Sequence, residues 1–193
     1  MKILVVLASV VALLALAGCS KYTFRGNAVD PPVTLPDLKL TDTRDASFSL
    51  SAQRGRVVLL YFGYTNCPDA CPLTLSHLAQ AKRALAAQAS DISLVFVTTD
   101  PERDTASVLA QYVARFDPAI VALRGSPDEL ASIYQAYHVS VIREEQTAGN
   151  SGYLLEHSDF VYVLDKAGRW RDIFDSTSKV DDIASDVRHL LAE

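Results

Sequence analysis

Two cysteines, Cys67 and Cys71, carry the most versatile chemistry in this sequence of 193 residues. A thiolate is the redox-active form of cysteine, and it is also the soft ligand that copper prefers. Because the two residues are four positions apart, a turn or a helix brings both sulfur atoms to one side of the chain. The pair can therefore form a disulfide or bind one metal ion.

The sequence around the pair predicts where it lies in the fold. Residues 57–62 form a continuous apolar run, typical of a strand buried on both faces, and apolar residues at helical spacing follow from Pro72 to about Ala89. Cys71 should thus stand near a helix start, where free N–H groups and the helix dipole stabilise a thiolate. A purely structural disulfide is the less favoured alternative, since so short a loop gives little chain-entropy stabilisation.

The N-terminal residues predict export and attachment to a membrane. Lys2 is followed by an uncharged run of 15 residues, 3–17, which is shorter than the ~20 residues that span a bilayer. The Leu-Ala-Gly-Cys sequence that ends at Cys19 resembles the bacterial lipoprotein signal, in which the cysteine is lipidated. We therefore expect residues 1–18 to be a lipoprotein signal peptide and the mature protein to be tethered on the periplasmic side. The alternative is an uncleaved signal anchor.

Charge and cysteine content narrow the possible functions. The net charge is −5, and loss of Lys2 on cleavage makes it −6. An acidic protein without runs of basic residues is a poor nucleic-acid binder, so no nucleic acid is expected as a partner. With Cys19 assigned to the anchor, Cys67 and Cys71 are the cysteines that remain. In an oxidising compartment they should be bridged unless a reductant or a metal protects them.

The remaining sequence predicts one α/β domain. Residues 19–37 are polar and proline-bearing, which indicates a tether, and residues 38–193 form the domain, beginning with a small hairpin. Strands are predicted at 57–62, 92–97, 120–123, 139–143, 160–164 and 169–174, with helices between them and at 179–192, and an exposed loop at 144–156. This order predicts a thioredoxin-like central mixed sheet flanked by helices. The cysteines should lie at the carboxyl end of a central strand.

Three stretches carry a resemblance to a known family. They are Tyr-Phe-Gly-Tyr-Thr-Asn-Cys-Pro-Asp-Ala-Cys-Pro at 61–72, Thr-Asp-Pro-Glu-Arg-Asp-Thr at 99–105, and His157 with Ser158 before the strand at 160–164. With the three in this order, the chain resembles the Sco/SenC family of membrane-anchored copper proteins over roughly residues 33–190. One departure is Ala106, where the family often has proline.

The resemblance implies a copper site and a role in assembly. In that family two cysteines and a downstream histidine bind one copper ion, as Cu(I) or Cu(II), and the matching residues here are Cys67, Cys71 and His157. Two thiolates and one imidazole suit copper, whereas structural zinc usually has four protein ligands. Asp100 and Asp159 are expected to support the ligands.

The implied role is assembly of the dinuclear copper site in subunit II of cytochrome c oxidase, by copper delivery, by reduction of its cysteines, or by both. That subunit or another copper chaperone would be the partner.

The main alternative is a membrane-tethered thiol–disulfide oxidoreductase that acts without metal, with Cys67 and Cys71 as its catalytic redox pair. Typical thioredoxins have two residues between the cysteines and a cis-proline before a late strand. Here three residues intervene, and His157-Ser158-Asp159 precedes the strand. A peroxiredoxin-like peroxidase is less favoured still, because prolines flank the cysteine pair. The sequence leaves enzymatic activity open.

Overall fold

The computed structural model describes residues 22–145 and 152–193, so the predicted signal peptide and Cys19 lie outside the described residues. The strands are β1 (Val33–Thr34), β2 (Lys39–Asp42), β3 (Ser47–Ser49), β4 (Val57–Gly63), β5 (Ile92–Thr98), β6 (Val121–Arg124), β7 (Val141–Glu145), β8 (Tyr153–His157), β9 (Val161–Leu164) and β10 (Arg169–Phe174). The helices are α1 (Ala70–Ala84), α2 (Ala106–Ala114), α3 (Pro127–Tyr137) and α4 (Val180–Ala192), with 3-10 turns at Leu50–Gln53 and Ala86–Asp91. Over the two described ranges, no helix is both long enough and apolar enough to cross a bilayer.

Eight strands form one mixed sheet in the order β1-β10-β9-β4-β5-β6-β2-β3. β4, β5 and β6 are parallel, and β9 runs antiparallel to β4. The first two parallel strands are joined through α1, as expected for a crossover connection. The predicted mixed sheet with flanking helices and an N-terminal hairpin, β2–β3, is therefore confirmed.

The central strand β4 is buried on both faces, as its unbroken apolar sequence predicts. Leu59 and Tyr61 face the helices α1, α2 and α4, where they meet side chains such as Leu75. Leu60 and Phe62 face the opposite layer, with α3 and the hairpin β2–β3. This two-sided packing fixes the carboxyl end of β4, from which the cysteine turn departs.

The segment predicted as an exposed loop, residues 144–156, contains a strand that the sequence analysis missed. β8 pairs with β7 to form a separate two-stranded sheet, with Val141 opposite His157. The side chains of this hairpin are half-buried or exposed, so its sequence lacks the apolar alternation that identifies a strand. The prediction of a loop over these residues was therefore wrong for 144–145, which lie in β7, and for 153–156, which lie in β8.

The segment 22–34 packs on the domain, although the sequence predicts a tether there. Tyr22 stacks on His189 of α4 with 3.8 Å between the ring centroids. Asn27 exchanges two backbone hydrogen bonds with Ile173, and β1 pairs with the edge of β10. The segment 22–34 of the predicted tether therefore forms an edge of the fold.

Two buried carboxyl groups hold this N-terminal segment. Asp186 is fully buried and accepts hydrogen bonds from the Tyr22 hydroxyl at 2.6 Å and from the backbone N–H groups of Arg25 and Gly26 at 2.8 and 3.0 Å. Asp172 is also fully buried, and burial together with the neighbouring Asp186 carboxyl raises its pKa to about 8. A Cβ at Gly26 would lie 2.6 Å from both Asp172 carboxyl oxygens, so glycine allows this close approach.

Candidate metal centre

The turn after β4 positions the two cysteines. α1 begins at Ala70, two residues before the predicted helix start, so Cys71 lies in its first turn. The N–H of Cys71 donates to the Cys67 sulfur at 3.4 Å, and the N–H of Cys67 donates to the Tyr64 carbonyl at 3.3 Å. The sulfur of Cys67 therefore caps the helix in place of the Asp69 side chain, which makes no cap hydrogen bond.

His157, the last residue of β8, completes the cluster. Its Nε2 lies 3.3 Å from the Cys71 sulfur, and its Nδ1 lies 3.0 Å from the Ser158 carbonyl oxygen. Because a carbonyl can only accept, Nδ1 carries the proton of the neutral ring, and the Nε2 lone pair points at the sulfurs. Tyr61 and Tyr64 meet the imidazole edge to face, with centroids 6.2 and 5.7 Å away.

The ligand atoms of Cys67, Cys71 and His157 all lie within 4.8 Å of one another, so one metal ion could contact all three. Both thiols are free; Cys71 is fully buried, whereas Cys67 is half-buried and lines a cavity of about 320 Å³. Four carboxylates also line this cavity: Asp69, Glu144, Glu156 and Asp159. The cluster is thus closed on the side of the core and open on the side of the solvent.

The two thiols have opposite pKa shifts. Contact with the Cys71 thiol, together with His157 and the helix N–H groups, lowers the pKa of Cys67 to about 4. Burial and the neighbouring Cys67 sulfur raise the pKa of Cys71. The sequence predicts that the helix start stabilises a thiolate at Cys71, but the structure gives that stabilisation to Cys67, because the helix N–H points at the sulfur four residues earlier.

The imidazole responds to the same neighbours. Burial lowers the pKa of His157, but contact with the Cys67 sulfur and the hydrogen bond to the Ser158 carbonyl outweigh burial, and the net shift is upward. A protonated imidazole beside a thiolate is an ion pair that a metal ion displaces, since metal binding needs both groups deprotonated.

The two aspartates predicted to support the ligands lie in different places. Asp159 accepts from the Tyr61 hydroxyl at 2.8 Å and from the Ser176 N–H at 3.1 Å, and it lines the cavity beside His157. Asp100 accepts from the Tyr153 hydroxyl at 2.7 Å and pairs with Arg103. Asp100 therefore contacts the hairpin that bears the histidine, and it does not line the cavity.

Asp104 has a role that the sequence analysis missed. The side chain that caps α2 is that of the next residue, Thr105. Asp104 is buried and accepts from the Thr65 backbone N–H at 3.2 Å, the Thr65 hydroxyl at 2.5 Å and the Thr98 hydroxyl at 2.6 Å. It thus ties the cysteine turn to the end of β5. Only its position in the connection between β5 and α2, beyond the carboxyl end of a buried strand, could have suggested this.

A stack of side chains attaches the β7–β8 hairpin to the sheet. The guanidinium groups of Arg103 and Arg143 lie on the Tyr153 ring, each 3.6 Å from its centroid. Arg103 also donates to the Tyr153 carbonyl at 2.8 Å. The Leu155 N–H donates to the Tyr64 hydroxyl at 3.3 Å, two residues before the histidine. These contacts position His157, since the described strands β7 and β8 pair with each other and not with the main sheet.

Gly63 lets β4 approach the buried thiol. A Cβ at this position would lie 2.8 Å from the Cys71 sulfur, 3.0 Å from the Phe96 ring and 3.1 Å from the Tyr61 ring. A separation below 3.0 Å forces one of the groups to move.

Comparisons with known proteins agree with this architecture. The family model described as SCO1/SenC matches residues 28–192. The SCO2-like protein of Rickettsia prowazekii is 34% identical over 136 residues, which cover 70% of this chain and 66% of that protein. The mitochondrial SCO2 homolog of Bos taurus is 34% identical over 161 residues, 81% of this chain and 59% of that protein. This chain thus spans about two thirds or less of the length of these two relatives.

A solved structure is also similar. The structure of Bradyrhizobium japonicum ScoI with copper bound superposes with a TM-score of 0.74 at 30% sequence identity, covering 82% of this chain and all of that one.

Proposed function

Since this chain belongs to the SCO1/SenC family, we propose that it binds copper through Cys67, Cys71 and His157 and delivers it during cytochrome c oxidase assembly. The single observation that carries the proposal is the convergence of three ligand atoms within 4.8 Å of one another. Bradyrhizobium japonicum ScoI, which shares the fold, is a copper-bound structure. Copper is the cargo of this site.

The donor set fits copper in either oxidation state. Two sulfurs and one imidazole nitrogen are soft or borderline ligands. Cu(I) binds to three such ligands, and Cu(II) accepts the set because it includes a nitrogen. A thiolate at Cys67 exists at neutral pH, because its pKa is about 4. The opening beside Cys67 and His157 gives an incoming ligand a route to the metal. The buried sulfur of Cys71 keeps the ion on the domain until that ligand arrives.

The experiment that tests this proposal is a copper titration of the reduced protein, followed by absorption spectroscopy of the Cu(II) form. We expect one equivalent of copper and strong sulfur-to-copper charge-transfer bands. Failure to retain copper after passage over a chelating resin would overturn the proposal. The receiving partner, subunit II of the oxidase or another copper chaperone, is tested by transfer of the bound copper to each.

We also propose that residues 1–18 are a signal peptide, that Cys19 is the lipidated N-terminus and that the copper-binding domain, predicted at 38–193 and joined by the segment 22–34, lies on the periplasmic side. The Leu-Ala-Gly-Cys sequence supports the anchor. The Cys19→Ser variant should then appear in the soluble fraction. A variant that stays in the membrane fraction would favour an uncleaved anchor.

A second candidate function is thiol–disulfide exchange, favoured by the unequal exposure of the two free thiols. The Cys67 thiolate would attack a partner disulfide and release one partner thiolate. Cys71 would then lose its proton and attack the mixed disulfide, so that the partner gains two electrons and this chain is left with a Cys67–Cys71 disulfide. The test of this second function is whether the metal-free protein reduces a model disulfide. The Cys67→Ser variant should lack that activity.

A further inference from the structure

The end of the domain opposite to the metal centre, called the base here, is formed by the start of β4, the β9–β10 turn and the end of α4. The Gly55 N–H donates to the Lys166 carbonyl at 2.8 Å, and Lys166 Nζ donates to the Leu191 carbonyl at 2.8 Å, so these three elements meet. β4 is seven residues long, and its far end leads into the cysteine turn. At about 3.3 Å per residue, the base lies roughly 20 Å from the metal centre.

The base carries an excess of positive charge. Its basic residues are Arg54, Arg56, Lys166, Arg169, Arg171 and Arg188. Three carboxylates lie in the same region, at Asp91, Asp165 and Glu193, so six minus three leaves an excess of three positive charges. Asp37 lines a cavity beside Arg54, but Lys39 balances it at 4.0 Å. Arg56 and Arg188 are exposed, and no carboxylate within residues 22–145 and 152–193 pairs with either.

The metal end carries the opposite charge. Four carboxylates line its cavity, and the nearest cations, Arg103 and Arg143, are paired with Asp100, Glu102 and Glu145. The described residues contain 16 Lys and Arg against 23 Asp and Glu, a net charge of −7. A positive base on so acidic a chain is therefore a local feature, and the charge changes sign along the strands.

The N-terminal segment enters the fold from the base. Arg25 lies beside Asp182 near the start of α4, whereas Tyr22 stacks on His189 near its end. The chain followed backwards from Arg25 to Tyr22 thus leads toward the base. Tyr22 is three positions after Cys19, a span of at most about 10 Å.

We propose that the basic residues of the base dock on the surface of an anionic phospholipid membrane, so that the metal centre points away from it. This inference rests on the proposed lipid anchor at Cys19, which would hold the base within reach of the lipid headgroups. Anionic lipids attract basic side chains within about 10 Å, roughly fivefold in binding for each Lys or Arg. They also repel the acidic metal end, so both ends favour the same orientation.

The test uses the full, lipid-anchored chain on vesicles of phosphatidylcholine alone or with phosphatidylglycerol. Trp170, the one tryptophan of the chain, lies in β10 next to the base and serves as donor for energy transfer to a dansyl-labelled lipid. We expect more transfer on the phosphatidylglycerol vesicles, falling as salt is added. Arg188→Gln should lower the equilibrium constant for docking about fivefold. Lys179→Gln, an exposed charge change at the other end of α4, is the matched control and should leave it unchanged.

Each outcome separates the docking surface from the anchor and from copper binding. Flotation with neutral vesicles reports the lipid anchor, and copper titration reports the metal centre, both independently of the base. Equal transfer on the two lipid mixtures, or an equal effect of Lys179→Gln and Arg188→Gln, would overturn the proposal. Binding to heparin without preference for phosphatidylglycerol would assign the base to another polyanion and would also overturn it.

Discussion

Two buried polar clusters hold peripheral segments to the same core, and they differ in whether their polar atoms face a cavity or donors from the chain itself. The cluster of Cys67, Cys71 and His157 joins the β7–β8 hairpin to the turn after β4. The pair Asp172 and Asp186 joins the N-terminal segment to α4 and β10. The first cluster opens on a cavity, whereas both oxygens of Asp186 accept donors from the chain itself.

The difference shows how similar burial leads to binding in one cluster and to structure in the other. Thiols are weak hydrogen-bond partners, so three converging soft donors gain most from an external metal ion. Carboxyl groups are strong acceptors, and here Tyr22, Arg25 and Gly26 supply the donors to Asp186. The raised pKa of Asp172 favours its neutral form, which reduces the repulsion between the two acids. The following predictions change one cluster at a time.

The largest expected effect is the loss of copper in Cys71→Ser. Removal of a buried sulfur ligand should weaken Cu(I) binding by roughly a thousandfold or more, beyond the ~10–100-fold that loss of a supporting partner costs. Competition with a Cu(I) chelator measures this. Thr74→Ser, buried one turn later on α1, is the control, and a Cys71→Ser affinity within tenfold of the unmodified protein would contradict the site.

Next in size is the destabilisation in Asp186→Ala. Three hydrogen bonds to a buried carboxylate are lost, so the free energy of unfolding should fall by about 4 kcal/mol while copper affinity stays the same. Urea unfolding measures it. Asp182→Ala removes only the exposed ion pair with Arg25 and should change stability by less than about 1 kcal/mol. Equal losses in the two variants would refute the role of the buried acid.

A smaller effect is the pH dependence that Asp172 adds. Its pKa is about 8 in the folded state, above its value in the unfolded chain, so the folded state binds the extra proton between those values. Stability from this group therefore falls as pH rises from about 5 to 8, with a slope of up to about 1.4 kcal/mol per pH unit. Asp172→Asn keeps a donor toward Asp186 and should remove the slope. Because His157 is present in both proteins, the difference between their slopes reports Asp172 alone. Identical slopes in the two proteins would rule out the contribution of Asp172.

The smallest expected effect is in Asp104→Asn, which weakens the attachment of the cysteine turn to β5. The amide donates where Thr65 and Thr98 also donate, so the turn should shift and Cu(I) affinity should fall about tenfold. Asp128→Asn, on the exposed first turn of α3, is the control. If both substitutions lower affinity equally, the turn does not depend on Asp104.

The sequence predicts the parts of the fold that are apolar and periodic. Strand β4 and helix α3, with its capping box at Ser126 and Glu129, are where the pattern puts them, because burial and capping are local signals. The cysteine turn is predicted for the same reason. The prediction for His157 depended on a resemblance, since 86 residues separate it from Cys71 and spacing alone cannot bring them together.

The features that the sequence analysis missed are polar contacts between distant segments. β8 lacks a periodic apolar pattern, Asp104 resembles a helix cap, and Asp186 resembles an exposed residue of an amphipathic helix. The role of each of these residues becomes clear only from the hydrogen-bonding groups that the fold brings next to it. The same holds for the low pKa of Cys67, which depends first on the contact with the Cys71 thiol and then on His157 and the helix N–H groups.

The glycine under the metal centre restricts how this protein can vary. Any side chain at position 63 would need the space that the Cys71 sulfur and two aromatic rings now occupy. These neighbours are buried, and one is a proposed copper ligand, so none can retreat without loss of packing or of the site. A replacement of Gly63 would thus require simultaneous compensating changes elsewhere. In an engineered or evolving lineage that retains the metal site, a single substitution of Gly63 should therefore not be tolerated.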